Sequence, residues 1–210
     1  GNNTTITDGS LGGGYDTGIE VAAFSSYANS SGADIAKVSL GNNNVISVGN
    51  STSLGTPGSV GIYAWAGANG YAPTADVLIT GGTGNNINVY GDGSSGIEGY
   101  AESGNVTIDI GSGGTIHVAD VPGCMTSYGI YAFSAYGGYS AQGDVNVTYA
   151  GNIDPPNIGI YAEGGGNITV TTSGNIEAST GIHALTVGNT SAVTVNVNGG
   201  NVVGTGFSTN

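Results

Sequence analysis

The sequence predicts an all-β fold, a right-handed parallel β-helix of about six three-strand coils. Three observations carry that reading. The triplet Gly-Ile-x, usually followed by Ala, recurs at Gly18, Gly61, Gly96, Gly129, Gly159 and Gly181, at intervals that shrink from 43 to 22 residues. Each interval holds short runs in which Val or Ile alternates with a polar residue, the period of a strand with one buried face. Glycine fills 42 of the 210 positions, and each interior glycine costs a helix about 1 kcal/mol relative to alanine. Repeats of 20–50 residues are the mark of solenoids, in which neighbouring units bury each other's apolar face.

The shortest unit, residues 159–180, shows the plan without insertions: GIYAEGGG, then NITVTTSG, then NIEAST. Second runs elsewhere begin at Asp34, Asp76, Asn105, Asp144 and Val193, and third runs at Asn44, Asn86, Thr115, Asn152 and Asn201. Longer units add residues in turns, around 49–59 and 119–127, where solenoids carry their insertions. In the first run the Ile and the Ala two residues on share parity and face inward, and small Ala suits a narrow interior. The asparagines before the third run (Asn44, Asn86, Asn152, Asn175 and Asn201) are expected to form a ladder at a bend. Asp34, Asp76 and Asp144 open the second run with Asn105 and Asn167, and read as turn carboxylates. Like positions in successive coils lie about 4.8 Å apart, so six coils make a rod of roughly 29 Å. The whole of 1–210 reads as one solenoid segment of a longer surface protein, with the caps that protect open sheet edges lying elsewhere.

Charge removes several functions. Fourteen acidic residues face a single cation, Lys37, with no arginine, for a net charge of −13. Phosphate binding needs clustered Lys and Arg, so nucleic acid is not a partner, and a polybasic contact with anionic lipid fails for the same reason. At 38% apolar the chain is too hydrophobic for disorder. One cysteine, Cys124, allows no internal disulfide.

The runs GIYA, DVNVTYAGNI and GIYAEGGGNITVTTSGNI resemble the passenger region of bacterial autotransporters. The likeness extends over essentially the whole chain, and filamentous haemagglutinins secreted by a partner protein share it. It implies a secreted β-helical passenger shown on the outer face of the bacterial outer membrane, with membrane contact only through a C-terminal barrel that this sequence does not contain. The function it implies is that of an adhesin or stalk. Its partners would be a host-cell surface, a matrix protein or glycan, or neighbouring bacteria.

Catalysis, cofactors and metals find little support. Lyases on β-helices commonly use Lys or Arg as base, and Lys37 reads as a solvated strand residue. Glycosidases need two carboxylates about 5–9.5 Å apart, whereas Glu20 and Glu98 share a column two coils apart with Tyr63 between them. His117 and His183 fall in different strands and read as surface ladder members. No catalytic, metal or cofactor residue is assigned, although a carbohydrate-active β-helix and a pure spacer remain the rival readings.

One feature rises above fold. With Ile and Ala inward, the third position of the first run reads Glu20, Tyr63, Glu98, Tyr131, Tyr161, His183. The fifth reads Ala22, Trp65, Tyr100, Phe133, Glu163, Leu185. Tyr63, Trp65, Tyr100, Tyr131, Phe133 and Tyr161 are therefore the candidate binding residues, on one outward face where contiguous aromatics mark interaction sites. Glu98, Glu163 and Asn175 are the polar groups expected beside them. Because Lys37 belongs to neither column, Lys37→Ala should bind a target surface like the unchanged protein, as measured by adhesion at two salt concentrations. Loss of binding would contradict this assignment.

Overall fold

The computed structural model describes residues 1–8, 16–25, 34–49, 58–68, 75–119, 125–134, 143–155 and 157–205. The chain opens with β1 (Thr5–Asp8) and then repeats a three-strand path. The first coil is β2 (Thr17–Ser25), β3 (Ile35–Leu40) and β4 (Val45–Val48); the second is β5 (Val60–Ala68), β6 (Asp76–Gly81) and β7 (Asn86–Tyr90). The third and fourth are β8 (Ser95–Ala101), β9 (Val106–Ile110), β10 (Thr115–Ala119) and β11 (Tyr128–Ser134), β12 (Val145–Tyr149), β13 (Asn152–Asp154). The last two are β14 (Ile158–Gly164), β15 (Ile168–Thr172), β16 (Ile176–Ala178) and β17 (Thr180–Thr186), β18 (Val193–Val197), β19 (Val202–Gly204). Every third strand pairs in parallel, giving one seven-stranded and two six-stranded sheets. This is a three-sided parallel β-helix of about six coils, as the repeat predicts. Strand β1, which begins the seven-stranded sheet, lies outside the repeat read from the sequence.

The register sets like residues on like. Ile62, Ile97, Ile130 and Ile160 stack in the second sheet, and Val106, Val145 and Ile168 in the third. Ile46, Ile87, Ile116, Ile153 and Ile176 stack in the first. All are buried, and together they form one continuous core. The small column, Ala64, Gly99, Ala132 and Ala162, faces the same interior. In the last coil Val193, Val195 and Val197 continue inward columns yet are exposed.

The Gly-Ile pair has a steric cause. A Cβ built on Gly129 would lie 2.2 Å from Ile153 Cγ2 and 2.6 Å from the carbonyl oxygen of Gly159. Gly96 and Gly159 meet Ile116 and Ile176 in the same way. This position is a corner where a strand of the first sheet turns into the second, and glycine and isoleucine face the interior in succession. Only a residue without a side chain lets the corner close on both the facing isoleucine and the next coil's backbone. A second constraint acts where the second run turns into the third. There Asn43, Gly84 and Gly113 share a column with φ of +53°, +71° and +80°, and glycine and asparagine tolerate that region best.

Side-chain oxygens bind the turns. Asp76 Oδ1 accepts the N–H of Asn105 at 2.7 Å, Asn105 that of Asp144 at 2.9 Å, Asp144 that of Asn167 at 2.7 Å, and Asn167 that of Ala192 at 3.0 Å. The expected asparagine ladder forms beside the first sheet. Asn86 accepts from Thr115, Asn152 from Asn175, and Asn175 from Asn201. Two members are displaced from the columns expected of them. Asn44 pairs with buried Asn85, which accepts both its backbone and its side-chain N–H, because Val45 is the residue opposite Asn86. Asp34 likewise stands one place early, since Ile35 opposes Asp76, and only its backbone carbonyl meets Asp76 N.

Gly129→Ala should destabilise the protein by about 1–3 kcal/mol, the usual cost of overpacking, read as a lower melting temperature. An unchanged melting temperature would mean the corner is looser than this packing requires.

Candidate functional site

The second sheet carries the site because its strands are the longest and its outward columns carry aromatic residues in coil after coil, whereas the first sheet has Tyr90 beside His117. Outward positions of the third sheet are Lys37, Leu78, Thr107, Asn146 and Thr169 in one column, then Ser39, Thr80, Asp109, Thr148 and Thr171 in the next. On the second sheet, pairing sets Glu20 beside Tyr63, Tyr63 beside Glu98, Glu98 beside Tyr131, Tyr131 beside Tyr161 and Tyr161 beside His183. Trp65, Tyr100, Phe133 and Glu163 align in the next column. All six candidate residues therefore share one outward face, each half-buried.

Their rings form a ladder. Tyr100 stacks on Phe133 at 5.5 Å, Phe133 on Tyr131 at 6.0 Å, Tyr131 on Tyr161 at 5.1 Å and Tyr161 on His183 at 4.8 Å, with planes within 15° of parallel. Such contacts contribute about 0.5–1.5 kcal/mol each beyond area burial. Burial is the main cause that raises the Tyr131 and Tyr161 phenols well above the ordinary range, so both remain neutral donors. The segments 69–74 and 135–142, which decide whether loops cover the rings, lie outside the described residues.

Two members escaped the sequence pattern. Tyr128 precedes the corner glycine and packs edge-on against Tyr131 and Tyr161, at 5.0 and 5.7 Å. Phe24, at the seventh position and 54% exposed, lies 6.1 Å from the Trp65 ring. Extending the outward parity by one step would have found Phe24.

The polar groups divide differently from expectation. Glu163 is buried and accepts a hydrogen bond from the Tyr161 hydroxyl, so it is spent inside the ladder. Asn175 lies beside the first sheet and belongs to its asparagine ladder. His117 sits on that sheet too, 3.1 Å from exposed Asp154, and His183 ends the ring stack. Lys37 is exposed on the third sheet, and Cys124 lies outside the described residues. Glu98 remains. Together with Thr17, Glu20, Val60 and Tyr63 it lines a cavity of about 320 Å³ at the upstream end of the aromatic face. Burial raises the Glu98 carboxyl above its ordinary 4.5, and the neighbouring Ser95 hydroxyl only partly opposes this.

Searches against protein-family models, characterised proteins and solved structures return no match to this chain.

The raised Glu98 carboxyl has a consequence for stability. The folded protein holds this proton to a higher pH than the unfolded chain, so stability falls as pH rises from the unfolded value through the folded one. The contribution is present in acid and lost above the raised value. Glu98→Gln should therefore raise the melting temperature at pH 7 and flatten its pH dependence. A lower melting temperature at pH 7 would show that the ionised carboxylate stabilises the coil.

Proposed function

We propose that this chain is a non-catalytic segment of a bacterial surface passenger of the autotransporter type, displayed outside the cell, that attaches to host or neighbouring cells through the aromatic face of its second sheet. The observation that carries the proposal is the concentration of rings on that sheet, set against Thr, Ser and Asn in the outward columns of the third. A spacer needs no such asymmetry, because the coils are held by their buried core and turn ladders, not by outward rings. Contiguous aromatics with neutral hydroxyls offer apolar area with polar handles, the composition of interface anchors. The autotransporter assignment rests on the GIYA-type repeat together with the three-sided helix it builds.

An enzymatic reading draws on Glu98 and Glu20, one carboxyl raised by burial and one beside the same cavity. Their separation argues against it. Two coil spacings amount to roughly 10 Å, at or beyond the upper end of the 6.5–9.5 Å of inverting glycosidases, and Tyr63 occupies the coil between them.

Trp65→Ala and Tyr100→Ala should each weaken attachment by about 1–3 kcal/mol per folded molecule, measured by cell or matrix binding with the folded fraction held equal. If the ladder serves only as a brace, both variants lower the melting temperature and leave attachment unchanged, which would overturn the proposal.

A further inference from the structure

The cavity at the head of the aromatic face differs from the ring ladder in chemistry. The pairing Glu20–Tyr63–Glu98 sets a carboxylate on either side of one aromatic ring over three consecutive coils. All three line the same cavity, with Thr17 and Val60. A group lying over Tyr63 would sit about one coil spacing, ~5 Å, from the coil of each carboxylate.

The charge there is unbalanced. A carboxylate withdrawn from water is ordinarily matched by a cation or a full set of donors. Glu98 has neither. Burial is the dominant influence on its carboxyl, and no cation offsets it. The chain holds no arginine, and its one lysine is exposed on a different sheet. His183 stands three coils away in the same column. Ser95 supplies an independent sign. It is 1% exposed, its hydroxyl is turned to the Glu98 carboxylate, and that oxygen completes no hydrogen bond of good geometry. Glu98, partly desolvated and lining the cavity, thus keeps acceptor capacity that the buried Ser95 hydroxyl behind it does not fill.

We propose that this groove receives the ammonium or guanidinium group of a basic peptide segment on the attached protein, held over the Tyr63 ring between Glu20 and Glu98. The inference rests on the reading of this face as a recognition surface and names the chemistry of its partner. A cation over an aromatic face is attracted by the ring quadrupole, and here two carboxylates reinforce that attraction. Burial and the two glutamates push the Tyr63 phenol up, so the ring stays neutral. A neutral sugar would leave the Glu98 charge uncompensated. A bare divalent ion fits poorly, because its oxygen ligands must converge to 2.3–2.6 Å from residues two coils, roughly 10 Å, apart in one column. The net charge of −13 would speed the encounter with a basic segment and make it salt-dependent.

The test is calorimetric titration of the full chain with a tetra-arginine peptide, a tetra-lysine peptide and a neutral glucose oligomer. We expect both peptides to bind and the oligomer to fail. Glu98→Gln and Glu20→Gln should each weaken peptide binding at least about tenfold, while Asp109→Asn, an exposed carboxylate on the third sheet, changes it little. Binding should also weaken in acid as Glu98 takes up its proton. Glu98→Gln should keep or raise its melting temperature, which separates lost binding from lost folding. Equal losses from Asp109→Asn and Glu98→Gln would reduce the effect to diffuse charge and overturn the groove, as would oligomer binding that ignores Glu98. Attachment assays separate the two readings. If Trp65→Ala weakens attachment and Glu98→Gln does not, the recognition face stands and the cation groove fails. If Glu98→Gln abolishes peptide binding while Trp65→Ala leaves attachment intact, the groove stands alone.

Discussion

Everything in this molecule follows from stacking one coil on the next at a single strand spacing, with backbone hydrogen bonds running along the axis. Within strands the carbonyls of adjacent coils satisfy the N–H groups. At the turns the chain changes direction, some backbone donors still meet the next coil's carbonyls, and others do not; an unmatched backbone donor is costly. The side-chain oxygens of Asp76, Asn105, Asp144 and Asn167 fill the gap, each accepting the N–H of the column member one coil on. Asp and Asn suit this place because their oxygen sits one carbon from Cβ, close enough to act as a surrogate carbonyl. The same spacing leaves no room for a side chain at the Gly-Ile corner. The glycine signature and the ladders are two answers to one constraint.

The constraint also shapes the surface. In-register stacking copies each outward side chain onto its neighbour, so an aromatic residue repeated at one position becomes a ladder of near-parallel rings. Where the repeat is broken, at Glu20, Tyr63 and Glu98, the ladder gives way to a cavity with a desolvated carboxylate. Natural proteins tolerate such unfavourable groups where function requires them. Nothing in the stacking itself calls for glutamate at position 98, since the neighbouring coil holds Tyr131 there.

Most of the fold was legible because the interior is periodic. Gly-Ile-x fixed the number of coils, and the Val and Ile alternation fixed which columns face inward. The misses share physical origins. Asn44 was displaced by one place because Asn85 and Asn86 stand side by side, and the equally long turns before β4 and β7 make Asn85 its counterpart. Asp34 was displaced because the segments before β3 and β6 differ in length. Tyr128 was missed because the corner turns two successive residues inward, which breaks the alternating parity. Burial of Glu163 depends on the Tyr161 hydroxyl reaching it, a contact between side chains that no pattern of residue types reveals. The aromatic columns were legible to the residue, since parity beyond the corner is regular.

Amide hydrogen exchange tests the central constraint most directly. The N–H groups of Asn105, Asp144, Asn167 and Ala192 lie just ahead of their strands and are bonded to side-chain oxygens of the preceding coil. If those ladders lock the coils, these four amides should exchange far more slowly than in an unstructured peptide, with protection close to that of Val106, Val145 and Ile168 beside them. Exchange at the unstructured rate in these four, with the strand amides still protected, would show that the turns are not held by their side chains and would contradict the account.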